Sequence, residues 1–256
     1  MSDDERKGNA RFSAARLRRE DVVTATGALG EETQALSRLL TGRYSCRAFL
    51  PNPVPRAVIE SMLQIAQLTP SWGNIQPWQV IVTEGEATSR FAQALHAHAL
   101  ENPMGLDFDF PIPPATYRGV YDERRKESGI QLYASLGIGR GDKARAVAQM
   151  AENFRLFGAP HAAIITTERD IGLYGAVDCG VYLTSFMLAA QSLGVATIAQ
   201  ASLARFGGVV RAHFGIPADR AILCGISFGY ADEDHPANGF RTTRADWRET
   251  AQFFSS

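Results

Sequence analysis

Pro70-Ser71-Trp72-Gly73-Asn74-Ile75-Gln76-Pro77-Trp78 separates a helical pattern from a strand-like run, Trp78-Gln79-Val80-Ile81-Val82. Before it, Val58, Ile59, Met62, Leu63 and Ala66 recur at helical spacing, and Pro55 opens that helix at a favoured position. The two prolines fix φ and withdraw donors. The residue before each is biased toward an extended shape. Ser71, Asn74 and Gln76 then present hydroxyl and amide groups on a constrained loop, a favoured place for ligand contacts. Pro, Ser, Gly and Asn also build ordinary helix-to-strand turns, so local composition leaves both readings open.

Outward from this loop, helices and strands alternate. Helical patterns cover 31–40, 87–100, 144–157 and 203–213; strands cover 78–83, 162–167, 195–200 and 221–230. Such alternation means α/β or α+β, with a central sheet carrying helices on both faces. Leu173 to Leu193 is largely apolar, but it contains Asp178, Thr184, Ser185 and Gln191. A spanning helix needs about 20 apolar residues with few or no charges. The segment reads instead as a helix buried on most sides, in a core or a subunit interface, with no membrane partner.

The 256 residues suggest one large domain with arms. Residues 1–30 form a charged N-terminal arm too polar to order itself alone. Residues 31–256 form the domain, with a C-terminal arm over 232–256 that ends in Trp247, Phe253 and Phe254. Residues 101–143 are interrupted by Pro103, Pro111, Pro113 and Pro114, with Phe108, Tyr117, Tyr121 and Tyr133 between and beyond them, and read as a lid insertion.

Net charge is −1, against the basic face of a nucleic-acid binder. Cys46, Cys179 and Cys224 are odd in number and widely spaced, so no disulfide framework is written. A reducing, cytoplasmic setting follows, and the charged start is no signal peptide. Gly225-Ile226-Ser227-Phe228-Gly229 matches a nucleophile elbow, which requires a following helix and a later acid and histidine. A turn follows instead, and His235 is the only later histidine. Gly137-Ile138-Gly139-Arg140-Gly141 lacks dinucleotide spacing and a leading strand. His96 and His98 lie two apart on a helix and face apart, so no metal site is expected.

Arg43, Ser45 and Arg47 fall within five residues. Two guanidinium groups and a hydroxyl can hold a phosphate, although a solvated basic turn has the same composition. Arg241 and Arg244 form a second basic pair in the tail.

Together, Arg43-Tyr44-Ser45-Cys46-Arg47-Ala48-Phe49, Thr69 to Trp78, Asn153 to Pro160, Asp178-Cys179-Gly180, Gly225 to Asp232 and the pair Arg241 and Arg244 resemble the FMN-dependent nitroreductase family. The 101–143 insertion is similar to its nitrobenzoate-reductase-like branch. The resemblance implies an α+β, α/β/α-layered fold with a mixed central sheet, and an intertwined homodimer with FMN at the interface. It implies that Arg43 and Ser45 hold the phosphate and ribityl chain, with the Tyr44 backbone N–H, Arg244 and Arg241. Arg47 would face the N1–C2=O edge of the ring, where a fixed cation stabilises reduced flavin. Pro70, Ser71 and Asn74 would reach the flavin of the other subunit. Asn153 would touch the ring edge, and backbone groups of Gln200, Ala201 and Ser202 would face N5 and O4.

The implied activity is ping-pong hydride transfer from NADPH, or NADH, to a small aromatic acceptor such as a nitroaromatic or quinone. Phe108, Tyr117 or Tyr133 would cap that acceptor. A flavin-storage protein, FMN cleavage, reductive dehalogenation and, remotely, a serine hydrolase are the alternatives. Trp72 departs from the small polar residue common at this position in the family.

Overall fold

A computed structural model describes residues 16–17, 30–111 and 117–255. The chain falls into two units. One comprises residues 1–41 with 241–256, the other residues 42–240. The expected arm over 1–30 lies mostly outside the described residues, as do residues 112–116 of the expected lid.

The smaller unit contains β1 (Arg16–Leu17) and most of α1 (Glu31–Gly42). Arg16 pairs antiparallel with Ala245 and Leu17 with Arg244. Glu31 and Glu32 occupy the first turn of α1, where negative charge meets the positive end of the helix dipole.

The larger unit begins with α2 (Arg56–Ala66), β2 (Gln79–Thr83), α3 (Glu86–Glu101) and α4 (Val120–Ser135). It continues through α5 (Lys143–Ala151), β3 (His161–Glu168), α6 (Leu173–Ser192) and β4 (Ala196–Gln200). It ends with α7 (Gly207–Phe214) and β5 (Arg220–Gly229); β6 (Arg244–Ala245) closes the smaller unit.

The sheet order is β2-β3-β5-β4, and all three pairings are antiparallel. Among the described residues, the parallel component of the expected mixed sheet is limited to one isolated bridge, which joins Ser45 to Thr197 on β4. Alternating residues of β3 serve two cores. Ala162 and Ile164 face Phe91 and Leu95 of α3 and Val210 of α7. Ala163 and Ile165 face Ile59 and Met62 of α2 and Cys179, Tyr182 and Phe186 of α6. The result is the expected α/β/α layering. A bulge in β5, opposite Ile165 and Thr166, shifts its phase, so Ile222 joins the first core while Cys224, Ile226 and Phe228 join the second.

His161 is buried at the start of β3. Its Nε2 accepts from Val54 N–H at 2.9 Å, and its Nδ1 bonds the Thr83 carbonyl at 3.1 Å. Burial pushes its pKa below the ordinary histidine value, so the ring is neutral. All three cysteines are free and buried.

Three departures from the sequence pattern are instructive. Residues 120–135 form a helix inside the proline-interrupted insertion. No residue of α4 is buried, and Asp122 pairs with Arg125 and Lys126 along its surface. Surface pairs rather than an apolar stripe support it. The helix expected over 144–157 stops at Ala151 and gives way to a 3₁₀ segment, Glu152–Gly158. Leu156 and Phe157 there take φ of 58° and 54° while fully or nearly buried. Packing holds a backbone that side chains ordinarily avoid. Lastly, Phe108, expected to cap an acceptor, is partly buried and packs against the α3 core.

Candidate active site

The Arg43–Arg47 segment lies along the free edge of β4. Cys46 N–H donates to the Thr197 carbonyl at 3.1 Å, and further on Leu50 N–H donates to Tyr230 O at 2.8 Å. This lacing places Cys46 and Ala48 in the interior, while Tyr44, Ser45 and Arg47 stay partly accessible. Arg47 N–H donates to Asn238 Oδ1 at 2.7 Å; the Asn238 amide in turn donates to the carbonyls of Ala48 and Asp232 at 2.9 and 2.8 Å. The backbone under Arg47 is therefore fixed from both sides.

The Arg47 guanidinium donates to Ser45 O at 3.2 Å and stands 5.8 Å from the Phe240 ring centroid. Among the described residues no carboxylate pairs with it. Burial lowers its pKa from the ordinary arginine value, yet a guanidinium keeps its charge in proteins. A half-buried cation with donors to spare thus faces a cavity of about 520 Å³, lined by Arg47, Phe49, Phe157, Asp232 and His235 among others.

Asn153, Gln200 and Ser202 come together at the end of β4. Gln200 Nε2 donates to Asn153 O at 3.0 Å, and Ser202 Oγ donates to Asn153 Oδ1 at 3.1 Å. Gln200 is 3% exposed, and its Oε1 accepts from Ser227 Oγ. Its side chain is therefore spent on the fold, whereas exposed Ala201 and half-exposed Ser202 leave groups available beside Asn153. Ser227 is fully buried within β5. It occupies no elbow, and the nucleophile reading of Gly225 to Gly229 falls away.

The loop from Pro70 to Pro77 lies before β2, at the opposite edge of the sheet. Gly73, Asn74 and Gln76 all take positive φ, at 57°, 58° and 47°. Gln76 N–H donates to Ser71 Oγ at 2.9 Å, and the Gln76 amide donates to Asn74 O and Oδ1, both at 3.1 Å. Gln67 and Trp78 extend the chain: Gln67 Nε2 donates to Gln76 Oε1 at 3.0 Å, and Trp78 Nε1 donates to Gln67 Oε1 at 3.1 Å. Pro70 and Asn74 are exposed. Trp72 meets Tyr174 of α6 edge-on, with ring centroids 4.3 Å apart.

The sequence-predicted residues thus form two groups. Tyr44, Ser45, Arg47, Asn153, Gln200, Ala201 and Ser202 attend the β4 edge, with Arg43 leading into that segment. Pro70, Ser71 and Asn74 attend the β2 edge. Arg241 and Arg244 belong to the smaller unit, where Arg244 Nη1 donates to Thr242 Oγ1 and Thr243 O at 2.8 and 2.9 Å. Asn238, the amide beneath Arg47, escapes sequence reading because its partners lie as far as 191 residues away.

The sequence model of the nitroreductase family matches residues 40–230. The chain is 39% identical to nitroreductase NfnB of Mycolicibacterium smegmatis over 229 residues, covering 89% of this chain and 96% of that protein. It is 35% identical to a 4-nitrobenzoate reductase of a Nocardioides species, covering 88% and 92% of the two chains. The crystal structure of the FMN-dependent nitroreductase NfnB from Mycobacterium smegmatis, in complex with NADPH, superposes with a TM-score of 0.83 at 38% identity, covering 88% of this chain and all of that one. With its layered sheet, its basic segment on the β4 edge and its matching length, the chain belongs to the nitroreductase family.

Proposed function

We propose that this protein is an FMN-dependent nitroreductase that takes reducing equivalents from NADPH and delivers them to nitroaromatic or quinone-like acceptors. The observation that carries the reading is Arg47, a half-buried cation without a carboxylate partner among the described residues, anchored through Asn238 beside a cavity. Such a donor set fits an anionic heterocycle edge. Similarity to NfnB supports the choice of FMN and NADPH.

FMN, when bound, supplies the hydride chemistry. The protein's own part is to hold and orient. Arg43, Ser45 and the Tyr44 backbone would grip phosphate and ribityl groups. Arg47 would place fixed positive charge where electron density accumulates. Asn153, cross-linked to Gln200 and Ser202, would present one rigid polar edge. Donor and acceptor would take turns in one pocket.

The assembly belongs to the same proposal. The β4 edge and the loop before β2 stand at opposite edges of the sheet, three strand spacings or roughly 14 Å apart, which supports pairing each half with the complementary half of a second copy. Leu173, Tyr174, Val177 and Val181 form an exposed stripe on α6, and Ile65, Leu68 and Ile75 are exposed as well. An apolar face of this kind marks an interface. Free, buried cysteines suit a reducing cytoplasm.

The purified protein should be yellow, bleach with NADPH under anaerobic conditions, and recover its colour on adding 4-nitrobenzoate. A colourless protein would sink the proposal. A yellow protein that NADPH and NADH fail to bleach would be a storage protein. Loss of the flavin itself in air would point to FMN cleavage.

A further inference from the structure

The loop from Pro70 to Pro77 is held at both ends by buried charges. At one end, Trp72 N–H donates to both carboxylate oxygens of Asp178, each at 3.2 Å. At the other, Arg220 Nη2 donates to Pro77 O at 3.2 Å. Asp178 is 7% exposed and Arg220 8%. Arg220 is itself braced by Thr166, through Oγ1 at 2.9 Å and O at 3.0 Å. The two charges come from different elements, α6 and β5, and flank one loop.

Burying charge is expensive unless hydrogen bonds repay it. What the carboxylate does is fix a backbone N–H of a loop with three residues at positive φ. Such backbone persists only where its surroundings over-determine it.

We propose that Asp178 is a positioning residue for the cofactor. Its carboxylate, working with Arg220, sets the backbone of residues 71–76 in the shape that presents Ser71 and Asn74 to FMN. The inference rests on the proposed flavin-facing role of this loop. It makes Trp72 a fixed point of the site through its backbone, whatever its ring does.

The test compares FMN binding, followed by quenching of flavin fluorescence, with the visible circular dichroism of the bound flavin and the melting temperature of the apoprotein. Asp178→Asn keeps the shape but removes the charge. Trp72→Pro removes the donated N–H and leaves Asp178 intact. Each should weaken FMN binding roughly tenfold, the scale of a hydrogen bond to a charged group, and alter the flavin dichroism. The double variant should be little worse than Trp72→Pro alone, because both changes act on the same contact.

A merely structural Asp178 would lower the apoprotein melting temperature and leave FMN affinity and dichroism as in the parent, and that result overturns the proposal. Additive losses would overturn the shared contact. Arg43→Ala separates this failure from that of the underlying reading. If Arg43→Ala weakens FMN binding while Asp178→Asn does not, only the positioning role fails. If neither does, the flavin site itself is misassigned.

Discussion

The two halves of the proposed site are built differently. The β4-edge half is woven into the sheet by backbone hydrogen bonds, from Cys46 to Thr197 and from Leu50 to Tyr230. Its proposed functional cation, Arg47, projects from this strand-like segment, and its own N–H is held by Asn238. The β2-edge half has almost no ladder of its own. Side chains hold it: Ser71, Gln67, Gln76, Asp178 and Arg220. Sheet-borne positions tolerate substitution of neighbours, because the backbone is set by the ladder. Side-chain-borne positions depend on each partner. Within the proposed site, charge is placed by the sheet edge and shape by the loop.

The strongest way to break this comparison is to separate the halves on different chains. One variant carries Arg43→Ala with Arg47→Ala; another has residues 71–76 replaced by glycine and serine. Neither alone should retain FMN. Refolded together, an isologous dimer with shared sites should recover FMN in about a quarter of its sites, measured as bound flavin after gel filtration. No recovery would mean that both halves serve the same chain.

Arg47→Ala alone should weaken FMN binding by roughly 10- to 100-fold, as expected when a charge-assisted bond is lost, with the apoprotein melting temperature near that of the parent. Titration by flavin fluorescence measures this. Ser227→Ala has a smaller effect of another kind. It leaves Gln200 Oε1 buried without its donor, at a cost of about 1–3 kcal/mol in stability, read from urea unfolding. It should create no loss of esterase activity, since none is expected.

The smallest effect is a pH dependence away from both halves. The pKa of His161 is depressed by burial, so the folded state favours the neutral ring. Below the unfolded value of 6.5 the unfolded chain binds the extra proton and the folded chain resists it. The contribution is therefore present above pH 6.5 and lost as pH falls through the depressed folded value. Melting temperature should fall more steeply on acidification in the parent than in His161→Gln. Parallel curves would remove His161 from the account.

Much of this was legible in the sequence, for local reasons. Arg43, Ser45 and Arg47 stand close together, and the prolines at 70 and 77 mark a constrained loop without reference to anything distant. The helix–strand alternation followed from periodicity. What escaped reading was long-range or supported by surface charge. The contact from Trp72 to Asp178 spans 106 residues and that from Arg220 to Pro77 spans 143; no pattern in either segment announces its partner. Helix α4 has no buried face, so an apolar period could not reveal it. The break after Ala151 depends on Leu156 and Phe157 at positive φ, which only the assembled core enforces. The polar seam of Asn153, Gln200 and Ser202 was legible as separate residues and not as a network.

The buried cysteines carry a practical consequence. Burial raises the thiol of Cys179 to a pKa of about 11 and that of Cys224 to about 12, and Cys46 is fully enclosed, its Sγ hydrogen-bonded to Ala48 O. Thiolate is the reactive form, so maleimides should leave the native chain untouched. A single cysteine introduced on the exposed part of the loop would then be the sole site of attachment for a spin label or fluorophore. The distance between two such labels in a dimer could be measured without first removing any native residue.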